Sequence, residues 1–525
     1  MARLGIDFGT TNTVVVCSDR GRYPVVPHVS RTAIGDVVRE VFPSLVVYDR
    51  ETGRFLFGPD AERCMARPDA HATTSVIRSL KRLLRDYVGG GRIGLDVYPG
   101  GFDTAAVLTG FAVALRDSIR RSGLFDADEP LETVLTWPAN ANGAQRHVTR
   151  TCFKAAGFDV IATLSEPAAA AIEFADRLVH GNRTAARRVA ASVVVFDLGG
   201  GTFDAALIRI DGSEFTVLDT AGIPDLGGDD LDAVLARMFA RGLGVDFDTL
   251  SPSQRALLLR HACQQKESIA SGAVRTLMLL PADLALPGKP CTVSVKAYFH
   301  ALAGVLGAAV DTVAALVSGP AARAAGVDPE QLDALYLVGG ASKLPLVGQL
   351  LSERFPQVRL VATDKPFTAT AMGAAIHGAE TVTLHDILAR HFGVLRLAEE
   401  GRREYFVPIF PAGLRLPPRG TPPVELAVEY SPRHNIGHLR YFECAAVDES
   451  GLPAIGVRAW SDVLFPYDPA IPFERRVARD EIRHRDDLAG ITVCETYACD
   501  SDGVISVRLS RRGDGESRSY EIFRG

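Results

Sequence analysis

The chain carries no long basic run, and its 57 Lys and Arg against 63 Asp and Glu leave a net charge of only −6. A surface without a concentrated positive field is a poor partner for nucleic acid, so nucleic-acid binding is not expected. A secretory leader is not expected either, because an apolar strand begins by Leu4 with no charged segment and apolar core before it. Membrane spans are equally scarce. The best candidate, residues 299–317, holds His300 and Asp311 among alanines and glycines, which suits a packed internal helix, and no membrane partner is expected. The eight cysteines show no paired metal-ligand spacing. Cys494 and Cys499 can approach each other across a hairpin, but reduced, buried thiols are the expectation, and the protein is placed in the cytoplasm.

What is present is length enough for several cores. A chain of 525 residues implies roughly two to four domains, and 47% hydrophobic with 23% charged residues is an ordinary soluble composition. Up to about Glu380, apolar strands (44–48, 133–137, 335–338) alternate with helical stretches (104–121, 142–156, 229–240), the pattern of an α/β domain. The polar segment 180–188 reads as a surface connection between two halves, the second starting near residue 190. After Glu380 comes "TVTLHDILARHFGV", with Leu384, Ile387 and Leu388 around Asp386; beyond it helical periodicity fades and short strands alternate with turn signals. The expected organisation is an α/β domain over 1–380, a linker over 381–391 and an all-β domain over 392–525.

Two segments say nearly the same thing. "LGIDFGTTNTVVV" and "VVVFDLGGGTFDAAL" are each an apolar strand that ends in an aspartate, turns on glycine and hydroxyl residues, and leaves as a second apolar strand. In the first, Asp7 closes the strand, Gly9 lets the backbone approach a ligand, and Thr10, Thr11 and Asn12 supply donors. In the second, Gly199, Gly200 and Gly201 form a run whose entropic cost is about 0.5–1 kcal/mol per glycine in a regular element, followed by Thr202 and Asp204. Singly, either hairpin also reads as a glycine-rich turn with aspartate turn formers. As a pair they suggest a duplicated fold whose halves face each other, with amides and hydroxyls for a nucleotide triphosphate and Asp7, Asp197 and Asp204 around a hydrated magnesium ion. Two further elements are weaker. Gly339 and Gly340 follow a buried strand, where a flat nucleoside can approach backbone, or where packing is simply tight. Gly227 and Gly228 precede an acidic helix start that is equally an ordinary N-cap.

With these four elements in order, residues 2–380 resemble the nucleotide-binding domain of DnaK-type heat-shock chaperones, within the actin, sugar kinase and heat-shock ATPase superfamily. "IDFGTTNT", "TWPANANGAQR", "LSEPAAAAIEF", "FDLGGGTFD", "LGGDDLD", "LVGGASKLP" and "AMGAAIHGAE" carry the resemblance. It implies a two-lobed, actin-like α/β fold, ATP or ADP with magnesium as ligands, and a set of roles. Thr10, Thr11 and Asn12 would hold phosphates, Asp7 and Asp197 the magnesium water shell; Glu166 would orient the attacking water and Thr202 sense the γ-phosphate. Gly227, Gly228, Gly339, Gly340 and Ser342 would line the pocket, and Lys266 would approach the ribose. Pro138 and Arg146 would report nucleotide state to a substrate domain; alternatively Pro138 only ends a strand and Arg146 solvates a helix.

Three departures from the family pattern stand out. Counting from Gly58 in "GPDAERCMA" puts Glu62 where the family has a catalytic lysine, with Arg63 next to it; Glu267 stands where an arginine is usual, and Phe367 where an aspartate is. A carboxylate cannot stabilise charge on a transferring phosphoryl group as a cation does, so slow hydrolysis is expected. The segments "YFVPIFPAGLRLPPRG" and "DSDGVISVRLSRRGDGESRSYEI" are similar to the family's substrate-binding β-sandwich, and a β-domain without the family's helical lid is expected. The expected function is an ATP-binding chaperone whose β-domain takes extended peptide or a dedicated client protein, with a co-chaperone or exchange factor as a further partner. A scaffold that senses ATP with little turnover is the alternative.

Overall fold

Leu4, Ile6 and Phe8 are buried, as are the β-branched Val14, Val15 and Val16, so strand Arg3–Phe8 and strand Asn12–Ser18 form an antiparallel hairpin covered on both faces. The computed structural model describes residues 3–521 except 33–34, 68–72, 78, 86, 88–90, 96–97, 127, 182–189, 271, 285–288, 364, 399–402 and 514–516. The connection expected over 180–188 therefore lies almost wholly outside the described residues. The first sheet runs in the order Asp159–Ser165, Glu132–Trp137, Arg3–Phe8, Asn12–Ser18, Phe42–Pro43. The second runs Leu360–Ala362, Ala334–Val338, Ala190–Leu198, Phe203–Asp211, Glu214–Ile223, Thr383–His385.

The two sheets share one plan. Each has a central antiparallel hairpin and, on the outer side of its first strand, two parallel strands in succession. Asp7 pairs with Val14 and Asp197 with Asp204 in equivalent registers, so the duplication read in the sequence is a duplication of structure. Small residues let the halves meet. A Cβ on Gly373 of helix Ala369–Gly378 would lie 1.7 Å from the Ala169 carbonyl of helix Glu166–Gly181, and one on Gly5 would lie 2.2 Å from the Ala371 carbonyl. Helix Val295–Val317 is long and apolar enough to cross a membrane by length and composition, but Tyr298, Leu302, Leu306, Val310 and Val313 pack it into the core of the second half.

From His391 onward the described residues hold strands and short 3-10 turns. Two four-stranded antiparallel sheets, ordered Arg403–Phe410, His391–Ala398, Ile436–Cys444, Arg458–Pro466 and Val424–Tyr430, Val493–Cys499, Ile505–Arg511, Ser517–Glu521, share a core around Phe392, Tyr441, Phe465, Tyr497 and Val507. At their centre Glu495 is fully buried; it pairs with Arg396 at 2.8 Å and accepts hydrogen bonds from Tyr497 at 2.5 Å and from Tyr430. Cys494 and Cys499 sit on one strand and not across a hairpin, and all eight cysteines are free.

The segment between these bodies belongs to both. Thr383–His385 adds to the second sheet beside Glu214–Thr216, and immediately afterwards the Leu388 amide donates to the Leu414 carbonyl and the Leu416 amide to the Asp386 carbonyl. Ile387 joins the α/β core and Leu388 the β core.

Candidate active site between the two hairpins

The two glycine turns face each other across a cavity of about 430 Å³, inside the usual range for small-molecule sites. A Cβ on Gly200 would lie 2.2 Å from Thr11 Oγ1, and one on Gly201 2.6 Å from Thr10 Cγ2, so only bare backbone lets the loops come this close. Gly9, Thr10, Thr11 and Asn12 line the cavity from the first half, and Gly199, Gly200, Thr202 and Gly228 from the second. Asp7, Glu166 and Asp197 form its carboxylate wall; Lys266, Gly339 and Gly340 lie in the same lining.

Four sequence-predicted residues stand just behind it. Asp204 is buried beside a smaller adjoining cavity of about 50 Å³, shared with Pro138. Gly201 and Gly227 pack loop on loop, a Cβ on Gly227 meeting the Gly200 and Gly201 backbone at 2.6 Å. The Ser342 hydroxyl donates to the Gly339 carbonyl at 2.7 Å, which makes it a brace for the turn.

The cation beside the carboxylate wall is Lys81, which corrects the reading that placed Glu62 at the lysine's position. Glu62 is part-exposed and paired with Arg39, while Arg63 is exposed and paired with Asp60; neither lines the cavity. Lys81, on helix Leu80–Arg85, is buried, points its ammonium into the cavity wall and pairs with Glu166. A sequence signal existed: Leu80, Lys81 and Leu84 share the buried face of that short helix, and a lysine on a core-facing stripe requires a counter-charge. Its neighbour Arg82 was also missed. It spans the cleft, donating to the Gly201 carbonyl at 2.6 Å and to the Asp230 carboxylate at 2.6 Å, and Arg85 pairs with Asp225 at 2.5 Å.

Crowding of carboxylates sets the electrostatics. Loss of bulk water and then the charge of Glu166 push Asp7 up to about 7, partly relieved by Lys81 and by the Thr136 hydroxyl, which donates to it at 3.3 Å. The same two causes push Asp204 up to about 7, and burial, Glu166, Asp7 and Asp204 together hold Asp197 well above the ordinary carboxylate range. Burial pulls Lys81 down, but Glu166, Asp7 and Asp204 outweigh it and its net shift is upward. Four carboxylates around one lysine are under-neutralised, and their hard oxygen donors fit a magnesium ion. Among the described residues no three metal-ligating side chains converge on one point, so such an ion would be held through water.

At the cavity's far end Lys266 donates to the Gly228 carbonyl at 2.8 Å and pairs with Asp232 at 2.8 Å. Burial pushes Asp232 up to about 6 despite that lysine. Glu267 and Phe367, the other two departures, both line this end.

Arg146 does not solvate a helix: it is buried, donates to the Ala141 carbonyl at 3.1 Å, lies 5.3 Å from the Trp137 ring centroid, and leaves Gly503 of the β-region no space for a side chain. Around it the α/β and β bodies touch through charge. The Gly143 amide donates to Glu443 at 3.1 Å, Glu443 pairs with Arg390 at 3.1 Å, Arg150 pairs with Asp502 at 3.1 Å, and the Thr163 hydroxyl donates to Asp502 at 2.7 Å.

Fold and cleft define a two-lobed, actin-like α/β protein joined to a β-sandwich-like body. Residues 126–389, half of the chain, match the model of the Hsp70 protein family, and the chain belongs to that family. It is similar along nearly its whole length to curated relatives. The chaperone protein HscA homologue of Pseudomonas putida is 28% identical over 543 residues, covering 99% of this chain and 77% of that protein. The chaperone protein DnaK of Thermotoga neapolitana is 28% identical over 548 residues, covering 99% and 80%.

Proposed function

We propose that the chain is an ATP-driven, cytoplasmic Hsp70-type chaperone in which hydrolysis in the cleft controls the β-region's hold on extended peptide or a dedicated client protein. The observation that carries this reading is Lys81 paired with Glu166 beside Asp7 and Asp197, in a wall faced by two glycine hairpins. Amides and hydroxyls of residues 9–12 and 199–202 cradle the β- and γ-phosphates. Asp7 and Asp197 hold the water shell of a magnesium ion, which, when bound, neutralises phosphate charge. Glu166, fixed by Lys81 at the start of its helix, orients the attacking water; the Lys81 ammonium stabilises charge developing on the γ-phosphoryl oxygens. Thr202 contacts the γ-phosphate, and Lys266 with Gly339 and Gly340 receives the nucleoside.

Nucleotide state reaches the β-region through Pro138 and Arg146. Pro138 follows directly on the strand that carries Thr136, the donor to Asp7, and Arg146 lies against Gly503 and in the field of Asp386, whose carboxyl is raised by burial and relieved by the Ile387 amide. β-Augmentation and apolar pockets are the means by which a β-sandwich takes an extended chain. The scaffold alternative rested on Glu62 at the lysine's position and on the missing lid, and the pairing of Lys81 with Glu166 in the cavity wall weighs against the first of these. The free cysteines suit a reducing compartment. The test is fluorescence anisotropy of a labelled unfolded polypeptide on the full chain: MgATP is expected to raise its off-rate at least about tenfold over MgADP, a coupling of about 1.4 kcal/mol. A polypeptide that does not bind, or whose off-rate ignores nucleotide, contradicts the reading.

A further inference from the structure

The cavity has two chemically different ends. Its phosphate end is glycine backbone, hydroxyls and carboxylates; its other end is walled by Cys263, Glu267, Ala270, Lys343, Leu344 and Phe367. Phe367 is the one aromatic ring in that lining among the described residues, and it leaves 47% of its surface exposed inside a concave wall. The ring is nevertheless fixed. A Cβ on Gly340 would lie 2.8 Å from its edge, so glycine there makes its seat, and the Lys343 ammonium stands 5.2 Å from its centroid. Gly339 connects this seat to the phosphate end: it has φ +82°, and a Cβ there would lie 2.6 Å from Asp197 Oδ1. An apolar ring held in place yet half open to a ligand-sized cavity is a stacking platform for a flat heterocycle.

We propose that Phe367 is the specificity-determining residue of this cleft: the nucleotide base stacks on its ring, and selection is for purine over pyrimidine by overlap area, with adenine and guanine accepted nearly alike. Sharp discrimination between base edges requires a site whose buried polar groups are left unpaired by the wrong base. Of the charged side chains at this end, Glu267 and Lys343 are exposed, with Glu267 accepting a long 3.7 Å contact from the Cys263 thiol, while the buried Asp232 is already paired with Lys266 at 2.8 Å, so a mismatched edge strands none of them.

This inference rests on the nucleotide reading above, and one set of titrations separates the two. Dissociation constants for MgATP, MgGTP, MgCTP and magnesium tripolyphosphate are measured on the full chain and on its Phe367→Ala and Phe367→Trp variants. Phe367→Ala is expected to weaken MgATP and MgGTP by about 10–100-fold while leaving tripolyphosphate within about twofold; Phe367→Trp retains both nucleotides. In the unaltered chain ATP and GTP are expected within about fivefold of each other and CTP about tenfold weaker. The inference is overturned if Phe367→Ala leaves MgATP unchanged, if it weakens tripolyphosphate equally, or if GTP is rejected by more than about 100-fold. A chain that binds tripolyphosphate but no nucleotide overturns the platform and spares the phosphate site. One that binds neither overturns both.

Discussion

Lys81→Met is expected to slow phosphate release from MgATP in single-turnover assays by about 10²–10³-fold, while the MgATP dissociation constant moves by less than about tenfold. The asymmetry follows from where the ammonium sits. It is buried against Glu166 and in the field of Asp7 and Asp204, on the side of the cleft where, in the proposed reaction, negative charge would grow as the γ-phosphoryl group transfers. Ground-state binding is spread over the backbone and hydroxyls of two hairpins, which the substitution leaves in place. Removing the cation also leaves Glu166 buried among other carboxylates without its partner, so Lys81→Arg serves as the charge-conserving comparison and retains binding with reduced turnover. Glu62→Ala, at a part-exposed side chain on helix Gly58–Met65, leaves the rate within about twofold. A Lys81→Met rate within about threefold of the unaltered chain removes Lys81 from the chemistry.

The second large effect is expected between the two bodies. Glu443 is buried, pairs with Arg390 and accepts from the Gly143 amide across the boundary, and burial raises its pKa even though Arg390 and that amide favour the charged form. Glu443→Ala leaves a buried guanidinium and an amide without their carboxylate, a loss of about 3–5 kcal/mol. That loss falls on the docked arrangement, which is then held by Arg150 and Thr163 on Asp502, by Arg146 against Gly503 and by Ala144 in the β core. Small-angle scattering is expected to show a larger radius of gyration for Glu443→Ala, together with faster proteolysis within 381–391, whereas Glu443→Gln, which keeps an acceptor for Gly143, stays nearer the compact form. An unchanged radius and unchanged cleavage for Glu443→Ala would place the docking energy elsewhere.

The paired glycine hairpins were legible in the sequence because their signal is local. Glycine runs at the ends of apolar strands, repeated with an aspartate at the same offset, specify backbone approach and charge within about ten residues. The α/β character and the β-rich region after residue 391 were legible for the same reason, from periodicity and turn residues. Lys81 was not. Helix Leu80–Arg85 is only six residues long, and the glycine-led helix Gly58–Met65 is the more conspicuous anchor for counting. Nothing near residue 62 in the sequence says that its side chain turns outward to Arg39, nor near residue 81 that Glu166 waits opposite. Arg146 reads as a surface helix residue because what buries it, the Trp137 face and the Gly503 turn, comes from other elements, one of them in the β-region. Burial of a charge is a tertiary event, and single-sequence patterns register it only as an oddly placed lysine or arginine.

The central claim is that the cleft between the hairpins is built for a magnesium-bound nucleotide triphosphate, and isothermal titration calorimetry of the full chain with MgATP tests it most directly. The expected result is saturable binding at ~1 site per chain with micromolar or tighter affinity, abolished by EDTA and weakened by at least about tenfold in Asp197→Asn, which removes one carboxylate from the proposed magnesium site. Absence of binding up to millimolar MgATP, or binding indifferent to both EDTA and Asp197→Asn, would contradict it.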